Sequence, residues 1–343
     1  MRLVTIEENP YNAETPMRAL SRVITPTELF FVRSHFDIPD LDPSTYRLQV
    51  EGAVRAPLDL SLRDIQDLPP RSVTATLECA GNGRIGLEPR ASGVPWAFGA
   101  TSTAHFTGAS LHHLLDRAGI QDAAVEALFV GADRGEVEPG RTVAFERSLP
   151  LSLAQHADTL LAWEMNGEPL TPLHGSPLRL VVPRWYAVAS VKWLARIRIL
   201  TRPFLGHYQA EKYLYEQETG TPDKTPVSTM RVRAVIAHPA EGEVLPRKRV
   251  EIVGMAWAGE TAIRKVEVSV DGGRSWSAAD LGTPPSEYAW SPWSLSWSPA
   301  SPGDYLLLAR ATDAAGHSQP LEQSWNVQGY GNNVVHQVRV RVH

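Results

Sequence analysis

A single cysteine, Cys79, stands in a chain of 343 residues. One thiol excludes an intrachain disulfide framework and every cysteine-cluster zinc or iron–sulfur site, which need several sulfurs. No stretch approaches the ~20 apolar residues that a membrane-spanning helix requires. The opening MRLVTIEENPYNAETP has neither an apolar core nor a twin arginine, so it does not read as a signal peptide. A cytoplasmic protein is expected from the chain as written, or a periplasmic one if a leader has been removed. An excess of positive charge is also lacking. A net charge of −5 gives the molecule no electrostatic reason to seek nucleic acid or an acidic membrane. Common signatures are missing too: there is no GxGxxG after a strand, no GxxxxGK[ST], no GxSxG and no HExxH.

What is present is an ordinary globular composition rich in turn formers. With 27 prolines and 25 glycines, long helices are not expected and loops are. The length exceeds what one hydrophobic core usually supports, so two domains are expected. Segment SLRDIQDLP reads as a short helix with Ser61 as N-cap and Asp64 at the capping-box position. GASLHHLLDRAGI carries the best helical stripe, Leu111, Leu114, Leu115 and Ala118, with Ser110 as cap and Gly119 as terminator. His112 and His113 fall on its solvent side. Strand candidates are TYRLQVEG, ALFVGAD, DTLLAWEMNG, SPLRLVVP and SVKWLARIRIL, the last alternating Val191, Trp193, Ala195, Ile197 and Ile199 against Lys192, Arg196 and Arg198. After residue 225 the helical period vanishes. Short alternating runs between turn signals such as DGG give about seven strands in roughly 110 residues, the pattern of an immunoglobulin-like sandwich. The expected division is a catalytic α+β domain of mostly β structure at 1–225 and an all-β domain at 226–343, joined by the polar stretch QETGTPDKTP.

Chemistry concentrates in a few places. In TLECAGNGRIG, Cys79 follows a strand-like run and opens into a glycine-rich loop with Arg84 close behind. Glycines admit a bound group close to backbone, and a nearby guanidinium favours thiolate, a soft metal ligand. Taken alone, the segment leans toward the plainer reading, a small buried hydrophobe. In ELFFVRSHFDIP, Arg33 and His35 share one face of an extended chain; a surface arginine is the alternative. In PLHGSPLRLVVPRWYAVASVKW, His174, Arg179, Arg184 and Lys192 can converge on a phosphate, or simply decorate the outer face of a sheet. GHYQAEKYLYE offers tyrosines that either pack or present a hydroxyl.

Taken in order, these segments resemble the sulfite oxidase family of molybdopterin oxidoreductases, in its haem-free bacterial type. The resemblance runs through FFVRSH, CAGNGR, GVPWAFGATSTAHFTGASL, AWEMNGEPLTPLHGSPLRLVVP, SVKWLARI and WNVQGYGNNVVHQVRV, and so spans nearly the whole chain. It implies that Cys79 ligates molybdenum and that Arg33 and Arg84 hold an oxyanion substrate in a pocket walled by Trp96. Tyr213 would hydrogen-bond near the oxo ligand and assist coupled proton and electron transfer. His35, His174, Arg179 and Lys192 would grip the pterin and its phosphate, helped by the backbone of Ser190 and Val191. The implied reaction is oxidation of sulfite to sulfate by oxygen-atom transfer. With no haem domain in the chain, electrons would pass to a separate acceptor such as a cytochrome or oxygen. The C-terminal sandwich would make a homodimer.

Departures from the family pattern matter. Gln328 stands where an arginine often completes the anion cage, His105 and Gly83 where other arginines are frequent. The missing cation leaves room for reduction of an S-oxide or N-oxide. A non-enzymatic two-domain binding protein with an inert Cys79 is the reading from a different class.

Overall fold

The computed structural model describes residues 1–215 and 224–343. Of the expected linker, residues 217–223 lie outside them. The first part is built on two five-stranded sheets. One has the order Leu58–Ser61, Arg47–Gly52, Leu194–Leu200, Glu126–Glu138 and Arg141–Pro150. The other runs Glu168–Pro169, Leu160–Met165, Thr101–Ser110 and Pro70–Glu78, with Arg179–Val181 paired to Leu160–Met165. Pairing is antiparallel except where Leu194–Leu200 lies parallel to Arg47–Gly52. Helices are few and short among the described residues, and none is long and apolar enough to cross a membrane.

Local sequence explains most of these elements. Ser61 and Asp64 form the reciprocal capping box that starts Leu62–Gln66. Helix Leu111–Ala118 buries the expected stripe and ends on Gly119 at φ 68°. Ser110 occupies its N-cap with extended dihedrals, yet its side chain makes no cap bond and its buried Oγ has no partner. The expected cap is therefore positional only. The alternation expected over 191–199 also starts late. The strand begins at Leu194, and a bulge between Leu194 and Arg196 breaks the register, so Leu194 and Ile197 both face the core. Upstream of the bulge Trp193 sits at φ 49°, which turns Lys192 out of the strand pattern.

The C-terminal part is an all-β, immunoglobulin-like sandwich. One sheet orders Arg233–His238, Val250–Trp257, Ser291–Trp297 and Asp280–Leu281; the other orders Glu243–Leu245, His336–Val342, Gly303–Asp313, Ile263–Ser269 and Ser277–Ala278. Strand Arg233–His238 has an unbroken apolar centre, Ala234 to Ala237, for a physical reason. Ala234 and Ile236 face the sandwich core, while Val235 and Ala237 join the core of the first part, together with Met255, Trp257 and Trp290. Alternate residues of one strand thus bury both its faces, and the two parts share a continuous apolar seam.

Candidate active site

Strand Pro70–Glu78 ends by delivering Cys79 to the bottom of a cavity. The turn that follows is tight: Cys79 N–H donates to the Ala100 carbonyl at 2.9 Å, and Asn82 N–H returns to the Cys79 carbonyl at 2.9 Å. Gly81 and Gly83 are required here. A Cβ on Gly81 would lie 2.6 Å from the Arg84 guanidinium, and Gly83 adopts φ +80° with Arg233 pressed against it at 2.3 Å from the same imaginary atom. The next two links come from the sandwich. Glu78, beside the cysteine, is 1% exposed and accepts from Arg233 Nη1 at 2.8 Å, Trp257 Nε1 at 2.8 Å and Asn82 Nδ2 at 3.0 Å.

The cavity leaves about 60 Å³ for the centres of water-sized molecules. Arg33, His35, Cys79, His174, Arg179, Ser190, Lys192 and Tyr213 all line it, so residues from five separate segments converge. Arg84, Trp96 and Val191 do not line it. Arg84 lies behind the cysteine loop, donating to the carbonyls of Val94 at 2.8 Å and Gln328 at 3.1 Å. Trp96 is fully buried in the cluster around Phe30 and Phe31, its indole N–H unpartnered. The Val191 carbonyl accepts the Leu180 N–H at 2.8 Å. Asp133, Phe145 and Trp193 line the cavity and were not singled out from sequence. Asp133 ends the apolar run ALFVGAD, a lone acid where a strand leaves the core, which was the one available signal.

The electrostatics of the cavity ask for an anion. Arg179 is 4% exposed, yet its hydrogen bonds go only to carbonyls, those of His174 at 3.0 Å, Ser190 at 3.3 Å and Leu180 at 3.5 Å. Burial lowers it to about 10. Lys192 donates to the Leu173 carbonyl at 3.0 Å and lies 4.1 Å above the Trp193 ring. Burial, then the charge of Arg179, pulls it well down from its ordinary value, while Asp133 opposes that shift. Arg33 is held by Asn12 Oδ1 at 3.2 Å and the Ser34 carbonyl, again without a carboxylate. Three cations thus share one lining acid, Asp133, whose Oδ1 has no partner and which burial raises to about 6 against the pull of Lys192 and Arg33. Buried cations in this state are costly until a counter-charge arrives. A phosphate-bearing group such as molybdopterin fits that need.

The histidines are neutral and fixed. His174 Nε2 faces the Thr27 carbonyl at 3.1 Å, and burial followed by Lys192 lowers its pKa to about 3. His35 stacks on Phe145 at 4.5 Å, and its Nε2 lies 2.6 Å from the Tyr213 hydroxyl. Burial and then Arg33 depress its pKa well below the usual range. Tyr213 takes φ 60°, a left-handed backbone that a residue with a Cβ adopts only when its surroundings impose it. Burial pushes the Cys79 thiol up, opposed by the charges of Arg33 and Arg84. Among the described residues no three of His, Cys, Asp and Glu gather as a metal-ligand group, so a metal at Cys79 would draw its other ligands from the cofactor that carries it.

Comparison with known proteins agrees with this geometry. Residues 35–208 match the oxidoreductase molybdopterin binding domain, and residues 224–343 match the Mo-co oxidoreductase dimerisation domain. Human mitochondrial sulfite oxidase is 37% identical over 98% of this chain, which spans 65% of that protein's length. Sulfite oxidase of Arabidopsis thaliana is 32% identical, with 98% of this chain and 93% of that protein covered. The crystal structure of the sulfane dehydrogenase SoxCD from Paracoccus pantotrophus superposes with a TM-score of 0.85 at 28% identity, covering 98% of this chain and 87% of that one. The chain belongs to the sulfite oxidase family of molybdopterin-binding oxidoreductases, with the family's dimerisation domain at its C-terminus.

Proposed function

We propose that this protein oxidises sulfite to sulfate at a molybdenum cofactor and passes the electrons to a separate acceptor, a cytochrome or oxygen. The observation that carries the reading is a cavity lined by three cations, Arg33, Arg179 and Lys192, against one acid, Asp133, and opening on the chain's only thiol. Cys79 would bind the metal as thiolate. Arg179, Lys192, His35 and His174 would hold the pterin and its phosphate, with Ser190 and the backbone at Val191 shaping that wall. Once bound, the cofactor supplies the two-electron oxygen-atom transfer. The chain's part is to bind and orient. Arg33 draws an oxyanion toward Cys79, and Arg84 adds charge from behind the loop while Trp96 stiffens the wall. The Tyr213 hydroxyl, with neutral His35 at 2.6 Å, holds a proton where one must move as electrons leave. Residues 1–225 would form this catalytic unit and 226–343 the contact of a two-fold homodimer.

A second reading, reduction of an S-oxide or N-oxide, is favoured by one observation. Both ends of the Gln328 amide are engaged by backbone, and neither Gln328 nor Arg84 lines the cavity, so the cage for a doubly charged anion is thin. The test uses protein made in a host that synthesises the cofactor. Near-stoichiometric molybdenum and bleaching of the oxidised centre by sulfite support the oxidase. A centre that sulfite leaves unchanged, but whose reduced form dimethyl sulfoxide or trimethylamine N-oxide reoxidises, replaces it with the reductase. Wild-type protein that takes up no molybdenum ends both readings and leaves a binding protein.

A further inference from the structure

Between two strands of the sandwich, Gly303–Asp313 and His336–Val342, the chain leaves its own domain and reaches the catalytic site. Residues 326–331, NVQGYG, form a strap closed on itself by Asn326, whose Nδ2 donates to the Tyr330 carbonyl at 2.8 Å and whose Oδ1 accepts from Tyr330 N–H at 3.0 Å. The strap is pinned to the cysteine loop. Gly331 N–H donates to the Ala80 carbonyl at 2.7 Å, and the Gln328 carbonyl accepts from Arg84 Nη2 at 3.1 Å. It is pinned equally to the segment that carries Tyr213. Gln328 Oε1 accepts the Tyr213 N–H at 3.1 Å, and its Nε2 donates to the Glu211 carbonyl at 3.1 Å. The Tyr330 ring stacks on Tyr213 with centroids 4.7 Å apart and planes 14° from parallel, and the Arg84 guanidinium lies 5.1 Å from the Tyr330 ring centroid.

The primary amide is suited to this. It pairs one acceptor and one donor with a backbone donor and acceptor two residues apart, as a strand neighbour would. Arginine at the same place has donors only and leaves the Tyr213 N–H without its acceptor. The backbone held in this way is the one at φ 60°, unfavourable for tyrosine unless something imposes it. From that backbone the side chain reaches the cavity and meets His35.

We propose that Gln328 is a positioning residue for Tyr213: its amide clamps the Glu211–Tyr213 backbone in the left-handed turn that keeps the phenol hydroxyl on His35. The C-terminal domain thereby sets the geometry of a proton-handling group in the catalytic domain, and glutamine at this position is a working part rather than a lost arginine. The proposal rests on the reading of Tyr213 as such a group.

The test is a double-mutant cycle with Tyr213→Phe, read in cofactor-loaded protein by steady-state sulfite oxidation and by the ring nitrogen resonances of His35 in histidine-labelled protein. Gln328→Met keeps the volume and removes both bonds. Its kcat should fall on the order of 10- to 100-fold with KM changed by less than about threefold, the size expected when a reacting group is misplaced by about an ångström. In the Tyr213→Phe background the same substitution should cost nothing more. The His35 resonances should move from the wild-type position toward those of Tyr213→Phe. A rise in KM at unchanged kcat would make Gln328 a substrate contact, and an equal loss in both backgrounds would separate it from Tyr213; either overturns the proposal. Wild-type His35 resonances in Gln328→Met overturn it without any turnover, so it stands or falls even if sulfite is not the substrate. Should Gln328→Met fail to accumulate, Gln328→Glu is read in the same cycle with a smaller but still Tyr213-dependent loss expected, because it keeps the acceptor for Tyr213 N–H and turns the donor to Glu211 into an oxygen that faces its carbonyl; no change in the His35 resonances would overturn the proposal.

Discussion

Replacing Arg233 by methionine tests how strongly the sandwich supports the cysteine loop. The guanidinium is 2% exposed; its Nη1 donates to Glu78 at 2.8 Å and to the Asn82 carbonyl at 3.0 Å, and it packs 5.7 Å from the Phe98 ring. Removing it strands a carboxylate that is 1% exposed. Breaking one side of a buried ion pair costs about 3–5 kcal/mol, because the remaining charge has no counter-ion. Here the carboxylate keeps Trp257 Nε1 at 2.8 Å and Asn82 Nδ2 at 3.0 Å, which places the expected loss near the lower end, about 3 kcal/mol. For a chain of 343 residues, whose unfolding entropy is about 2.1 cal/mol/K per residue, that is a fall in Tm of roughly 4 °C by calorimetry. Adding Glu78→Gln to Arg233→Met removes the stranded charge and should recover part of the loss. Because Glu78 precedes Cys79, the single variant should also retain less molybdenum. A loss below about 1 kcal/mol, or a double variant no more stable than the single one, refutes the reasoning.

Two other perturbations follow from the same seam. Gly83→Ala combines a left-handed φ of +80° with a Cβ placed 2.3 Å from Arg233 Nη2. It should cost about 2 kcal/mol or more in chemical denaturation, and less in the Arg233→Met background where the clash is relieved; equal costs in the two backgrounds would remove the clash from the account. His336 is 6% exposed, its Nδ1 accepts the Ile236 N–H at 3.0 Å, and burial, then Arg233, lowers its pKa to about 3 from an ordinary 6.5. The unfolded chain therefore binds a proton below pH 6.5 that the native ring refuses, so this contribution to stability is complete above pH 6.5 and is lost as pH falls toward 3. The slope reaches up to about 1.4 kcal/mol per pH unit. Between pH 6 and pH 4, Tm should fall less steeply for His336→Gln than for wild type, and parallel lines would contradict the assignment.

How much of this was legible in the sequence depends on the range over which each feature is determined. The stripe Leu111, Leu114, Leu115 and Ala118 is local, and the helix formed on it. The alternation after Trp193 failed at its first residues because a bulge, which pairing with Glu126–Glu138 sets, has no local signature. The apolar run of Arg233–His238 reads as one buried strand, but nothing within it says that its two faces serve two cores. At the site, Cys79, Arg33, His35, His174, Arg179, Ser190, Lys192 and Tyr213 line the cavity and were all read from motifs, whereas Asp133 and Phe145 line it without one. Arg84 was read from the same motif, yet its guanidinium turns to carbonyls behind the loop, a direction no spacing encodes. Arg147 carried no signal at all. It is 1% exposed, donates to the Val227 carbonyl at 3.0 Å and to the Tyr208 carbonyl, and lies 6.0 Å from the Tyr213 ring, a buried cation within a strand. Gln328 is the sharpest instance. Judged by residue type it is a missing charge; judged by its partners it is the group whose acceptor fits the Tyr213 N–H and whose donor fits the Glu211 carbonyl. Type alone is a poor guide wherever a side chain acts through the main chain of a distant segment, because the partner there is a peptide group that every residue carries.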